Sequence, residues 1–154
     1  MITESNKRNI FLILTMIMTL AIWINSILPA DMSSTQSGFF TTMIHSVIGM
    51  FRISIEIDKL SLIVRKSAHF SQFFLLGIFW FQYLFRVIKS KNLVHWYAAL
   101  FCLLTAIIDE TIQIFSEGRA FQFTDILIDF FGSFMAISAF VLTLYLIKNK
   151  GESA

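Results

Sequence analysis

Most of the side chains in this sequence that could do chemistry stand at helical spacing in three short stretches. Arg65 and His69 are four residues apart and His69 and Gln72 three apart, so on a helix they share one face. Asp109 and Gln113 repeat the four-residue step, with Glu110 one position round. Asp125, Asp129, Gly132, Ala136 and Ala139 follow at steps of four, three, four and three, carrying two carboxylates on into small residues. A histidine among carboxylates can take and return a proton in hydrolysis or group transfer, which makes His69, Asp109, Glu110 and Asp129 the catalytic candidates. Arg65, Lys66 and Arg119 are the cations available to hold a phosphate or carboxylate. With Gln72, Gln113 and Asp125 these residues complete the candidate ligand-binding set. His69 with Asp109, Glu110, Asp125 or Asp129 could also hold a metal, but no HExxH-like spacing is present. No metal and no cofactor is therefore assigned from the sequence.

Each feature has a plainer reading beside the functional one. Asp109 and Glu110 could be charges at a helix end, although acids at a helix C-terminus oppose the macrodipole and need local partners. Asp125 follows Thr124, an ordinary N-cap, and acids in a first turn are common. Asp129 lies one turn deeper, where capping does not explain it. Arg65 and Lys66 could be snorkelling anchors, and Arg119 an interface anchor. His45 and His95 lie off these stripes and read as interfacial residues, and the 18 Phe as packing or lipid-facing residues.

The elements that must position these groups follow from composition. The chain has 154 residues, 56% hydrophobic and only 14% charged. A soluble domain is roughly 25% charged, so this chain has too little polar surface to face water all round. High hydrophobicity excludes disorder, and the single cysteine, Cys102, excludes an intramolecular disulfide scaffold. A formal charge of +2 spread along the chain gives no footprint for nucleic acid. An all-α integral membrane bundle remains, in a single domain over residues 1–154.

About 20 apolar residues span a bilayer as a helix. Four stretches meet this, at about 10–28, 68–88, 93–115 and 125–147. The first follows Lys7 and Arg8 but is long for a signal peptide and lacks a small-x-small cleavage site, so it reads as an uncleaved span. Residues 39–57 carry Thr41, Thr42, His45, Ser46 and Arg52, and place Ile44, Val47, Ile48 and Phe51 on one helical face. They read as an amphipathic helix in the interface, not a fifth span. With Arg65, Lys66 and Arg119 set aside, four spans put seven Lys/Arg inside and two outside, against four and five for five spans. This places both termini in the cytoplasm and every candidate site residue within about two turns of the outer interface.

Two motifs carry a family resemblance. Arg65-Lys66-Ser67-Ala68-His69-Phe70 is followed by Leu76-Gly77; Asp109-Glu110-x-x-Gln113-x-Phe115-x-x-Gly118-Arg119 is followed by Asp125 and Asp129 before Gly132. Together, over roughly residues 60 to 140, they resemble the VanZ-like family of bacterial membrane proteins. Asn25-Ser26 at the outer end of the first span also fits. The resemblance implies a link to low-level resistance against teicoplanin-type glycopeptides and lipoglycopeptides, drugs that act outside the membrane; it supplies a phenotype, not a reaction. One position departs: Gln72 stands where members often carry Glu, which puts in doubt any step needing that carboxylate. The partners expected are the bilayer and a lipid-linked cell-wall precursor, a phospholipid headgroup or the drug itself. A homo-oligomer stays open. Three functions compete: an outer-leaflet pocket that binds or modifies such a ligand, a hydrolase or transferase acting on it, and a structural or regulatory subunit.

Overall fold

A computed structural model describes residues 3–51 and 54–152, and among them every regular element is a helix. In chain order these are α1 (Glu4–Ile27), α2 (Ala30–Met50), α3 (Ile57–Val87), α4 (Lys91–Gln113) and α5 (Phe123–Glu152). Four of them, α1, α3, α4 and α5, are long and apolar enough to cross a membrane, as the sequence predicts. The Thr3 hydroxyl starts α1 by accepting from the Asn6 amide at 3.2 Å. Pro29 stops it, because the residue before a proline is driven to extended backbone, and Leu28 sits at φ −68°, ψ 135°.

Helix α3 is the hub, packed against α1, α2, α4 and α5. Its 31 residues make a rod of about 46 Å, longer than the ~30 Å hydrocarbon layer. It begins eleven residues before the expected span at 68, so Arg65 and Lys66 lie inside the helix and do not merely flank it. The charged turns before Ala68 cost nothing where they project beyond hydrocarbon.

The segment expected at 39–57 as an amphipathic interfacial helix is corrected in its bounds and its faces. The helix runs Ala30–Met50, launched directly by Pro29, whose fixed φ suits a helix start. Residues 52 and 53, including Arg52, lie outside the described residues. Of the predicted apolar face only Ile44 and Ile48 are partly covered; Val47 and Phe51 are exposed. Ser33, Ser37 and the buried Thr41 instead face α3 or the cavity beside it, while Phe39, Phe40, Met43 and Met50 point outward. The helix is inside-out for a water-soluble protein, an arrangement suited to a lipid environment.

One core cluster packs Ile22, Phe73, Leu76, Cys102, Ala106 and Ile126; a second packs Phe81, Leu84, Val94, Ala98 and Ile137. Between α3 and α5 the backbones approach closely. A Cβ on Gly132 would stand 2.5 Å from the Phe70 carbonyl oxygen, and one on Gly77 2.8 Å from that of Ser133. Small residues permit such contact between membrane helices. The predicted stripe on α5 turns inward at Asp129, Gly132 and Ala136 and leaves the interior at Ala139, which is exposed. A 3.6-residue helix drifts off a strict 3.5-residue stripe, and four steps are enough to show it.

Arg86 and Lys91 lie at the opposite end from the acidic cluster. Arg86 reaches Glu4 at 3.5 Å and lies over the Phe11 ring, 4.8 Å from its centroid. Lys91 binds the Phe85 and Ile88 carbonyls at the end of α3, where a cation complements the helix dipole.

Candidate functional site

The C-terminal end of α1 and the loop between α4 and α5 build the frame of the site. The last turn of α1 leaves carbonyls without helical partners. The Ser116 hydroxyl donates to the Ser26 carbonyl at 2.5 Å and the Arg119 guanidinium to the Asn25 carbonyl at 3.2 Å. The Ala30 amide donates to Glu117 at 3.0 Å, clamping the α1–α2 joint to the same loop. Gly118 turns that loop at φ +72°, a left-handed conformation that glycine adopts without a Cβ penalty.

Inside this frame, four helices meet in a polar cluster. Asp109 is fully buried on α4. Its carboxylate accepts from the Ser26 hydroxyl of α1 and, at 3.1 Å, from the Gln113 amide one turn on. Asp129 of α5, 1% exposed, faces His69 of α3, with Oδ1 3.7 Å from Nδ1. That separation suits an ion pair but exceeds a hydrogen bond, and neither atom has a hydrogen-bond partner. His69, Asp109 and Asp129 each bring a ligand-capable atom to within 4.8 Å of the other two.

Glu110 goes elsewhere. Buried at 1% exposure, it accepts the Gln122 amide at 2.6 Å and so anchors the entry to α5, where negative charge is favoured. Its second oxygen has no hydrogen-bond partner. The two acids at the end of α4 thus find the local partners that their position demands, one in the bundle and one on the loop.

The cations also divide. Lys66 pairs with Asp125 across α3 and α5. Its charge is thus partnered by a carboxylate of the neighbouring helix. Arg65 and Arg119 instead line a cavity of about 200 Å³ with Asn25, Ser33, Ser37, Phe40, His69 and Gln72. Among the described residues no carboxylate lies within ion-pair distance of either guanidinium, and Arg119 Nε is buried without a hydrogen-bond partner. Burial, and then the Arg65 charge, pull the Arg119 pKa below the ordinary arginine range, while Asp109 and Glu110 oppose that shift.

Sequence reasoning missed Ser26 as a partner of Asp109 and the serines of α2 as cavity wall. A hydroxyl near the end of an apolar run was the available signal for Ser26. Ser33 and Ser37 carried none, because the periodicity predicts a helix that starts nine residues later. A second cavity, of about 380 Å³, lies between α4 and α5 at the other end and is lined by His95, Trp96, Phe134 and Tyr145 among others. Its lining is almost wholly apolar and offers no comparable chemistry.

No curated protein and no solved structure matches this chain. A family model described as VanZ/LLP1 matches residues 11–146, which contain both motifs and every residue of the cluster and the arginine-lined cavity. With nearly the whole chain matched, the protein belongs to the VanZ/LLP1 family.

Proposed function

We propose that this is a multi-pass protein of the bacterial cell membrane, with both termini cytoplasmic, whose arginine-lined cavity faces outward. In this reading the cavity binds the anionic headgroup of a membrane lipid or lipid-linked cell-wall precursor. The observation that carries it is the pair of guanidinium groups, Arg65 and Arg119, bordering one cavity with no carboxylate partner among the described residues. Arginine keeps its charge in proteins, so two such groups side by side are relieved by a bound anion. The planar fork of each suits phosphate or carboxylate. Gln72 and Asn25 add neutral polar groups to the wall.

The cavity's volume favours a small ligand. Drug-sized sites run about 300–1,000 Å³, and this cavity is about 200 Å³. That size favours a headgroup over a whole glycopeptide. Family membership supports a link to antibiotic resistance, and sequestering or altering an outer-leaflet lipid is a route to that phenotype compatible with the cavity. The basic residues Arg86 and Lys91 at the opposite end support the orientation, since cytoplasmic flanks carry the excess of Lys and Arg.

The test is binding of a short-chain phosphatidic acid to the detergent-purified chain, with native mass spectrometry of co-purifying lipids. A charge-assisted contact is worth about 1.5–3 kcal/mol, so Arg65→Ala and Arg119→Ala should each weaken binding roughly 10- to 100-fold. They should also remove resistance while the protein persists in the membrane. Unchanged binding and resistance in both variants would reject the reading.

One observation favours a second reading, a hydrolase or transferase at the same place. His69 borders the cavity and faces Asp129, an arrangement able to pass a proton. Comparing membrane lipids with and without the protein separates the two, because an enzyme leaves a new or missing species.

A further inference from the structure

We propose that His69, Asp109 and Asp129 form a binding site for one divalent transition-metal cation, held between α3, α4 and α5. The three ligand-capable atoms converge within 4.8 Å from three different helices. Asp129 is only 1% exposed, and its Oδ1 points at His69 Nδ1 with no hydrogen-bond donor on it. A buried carboxylate oxygen and a buried ring nitrogen, 3.7 Å apart and each without a hydrogen-bond partner, are costly to bury. A cation between them satisfies both.

The distances suit that assignment. Ligand atoms about 2.0–2.2 Å from a tetrahedral ion stand roughly 3.3–3.6 Å apart. The His69–Asp129 edge, at 3.7 Å, is already close to this value. The longest edge, within 4.8 Å, needs about an ångström of closure, which side-chain rotation supplies. Charge balances too: two carboxylates offset a 2+ ion, and the imidazole binds in its neutral form.

The surroundings resemble the support that metal ligands receive. Asp109 is oriented by the Ser26 hydroxyl and the Gln113 amide, and ligating carboxylates are commonly held by such hydrogen bonds. Mixed imidazole and carboxylate donors suit first-row metals such as zinc. Three protein ligands leave a tetrahedral ion one further position for water or a ligand. The site does not depend on the arginine reading: His69 lines both, but Asp109 and Asp129 are not among the residues lining that cavity and neither arginine is a ligand.

The experiment uses the full chain in detergent, stripped with EDTA and equilibrated with micromolar zinc chloride, with bound zinc counted after gel filtration. The expected result is about one zinc per chain, with Asp129→Asn and His69→Ala at least about tenfold weaker. Asp125→Asn, a turn away and outside the cluster, should retain the zinc, as should Arg119→Ala even where it loses phosphatidic acid. X-ray absorption at the zinc edge of the unmutated protein should show an imidazole ligand, a readout independent of whether any variant folds. No bound zinc, no imidazole ligand, unchanged binding in Asp129→Asn, or equal loss in Asp125→Asn would each overturn the site.

Discussion

Ser26 shows how much one side chain decides at this site. Its hydroxyl reaches from α1 to a fully buried carboxylate on α4, and its carbonyl receives the Ser116 hydroxyl from the following loop. Ser26→Ala leaves Asp109 with the Gln113 amide alone, and removing a donor from a buried charged group costs about 1–3 kcal/mol. Denaturant unfolding of the purified protein should register that loss; unchanged stability would mean that Asp109 does not depend on α1. Much at this scale is legible in the sequence. The three- and four-residue steps put His69 with Gln72 and Asp109 with Gln113 on shared faces, and they are found there. The pairing of Lys66 with Asp125 is not legible, because register on one helix says nothing about which group on the next helix stands opposite. Glu110 is hidden for a similar reason, since its partner is a backbone amide and a backbone amide leaves no mark in a sequence.

At the scale of elements, the contact between α3 and α5 aligns His69 with Asp129. That contact rests on two glycines, each facing a carbonyl of the other helix. Gly132→Ala brings its Cβ to 2.5 Å from the Phe70 carbonyl, and a backbone oxygen can yield only if the helices part. The expected cost is about 1–3 kcal/mol of stability, with loss of resistance. Gly38→Ala is the matched control, because a Cβ there meets nothing within 4 Å. It should be neutral or stabilising by about 0.5–1 kcal/mol. Equal behaviour of the two variants in thermal unfolding would show that the close approach is not what holds α3 to α5. The small-residue stripe through Gly132 and Ala136 makes this contact legible in the sequence, because only small side chains let two backbones come so near. The bounds of α2 are not legible in the same way: its apolar residues run round the helix, and only Pro29 marks where it starts.

At the scale of the whole molecule, the scarcity of charge gains a spatial meaning. Apolar side chains cover the outside of every helix, the basic residues Arg86 and Lys91 close one end, and His69, Asp109, Asp129 and the arginine-lined cavity occupy the other. Composition alone marks the membrane class, and hydropathy marks four spans; which helices touch is decided by side-chain shape. Orientation in the bilayer is a separate prediction. Gln122 is exposed on the loop beside the cluster, so Gln122→Cys in a Cys102→Ser background should react with a membrane-impermeant maleimide in intact cells. Reaction only after permeabilisation would place the site on the cytoplasmic side. The most direct test of anion recognition remains phosphatidic acid binding by the purified chain with Arg65 and Arg119 each replaced by alanine. Binding that falls roughly 10- to 100-fold in both variants is the predicted result, and binding that persists in both contradicts it.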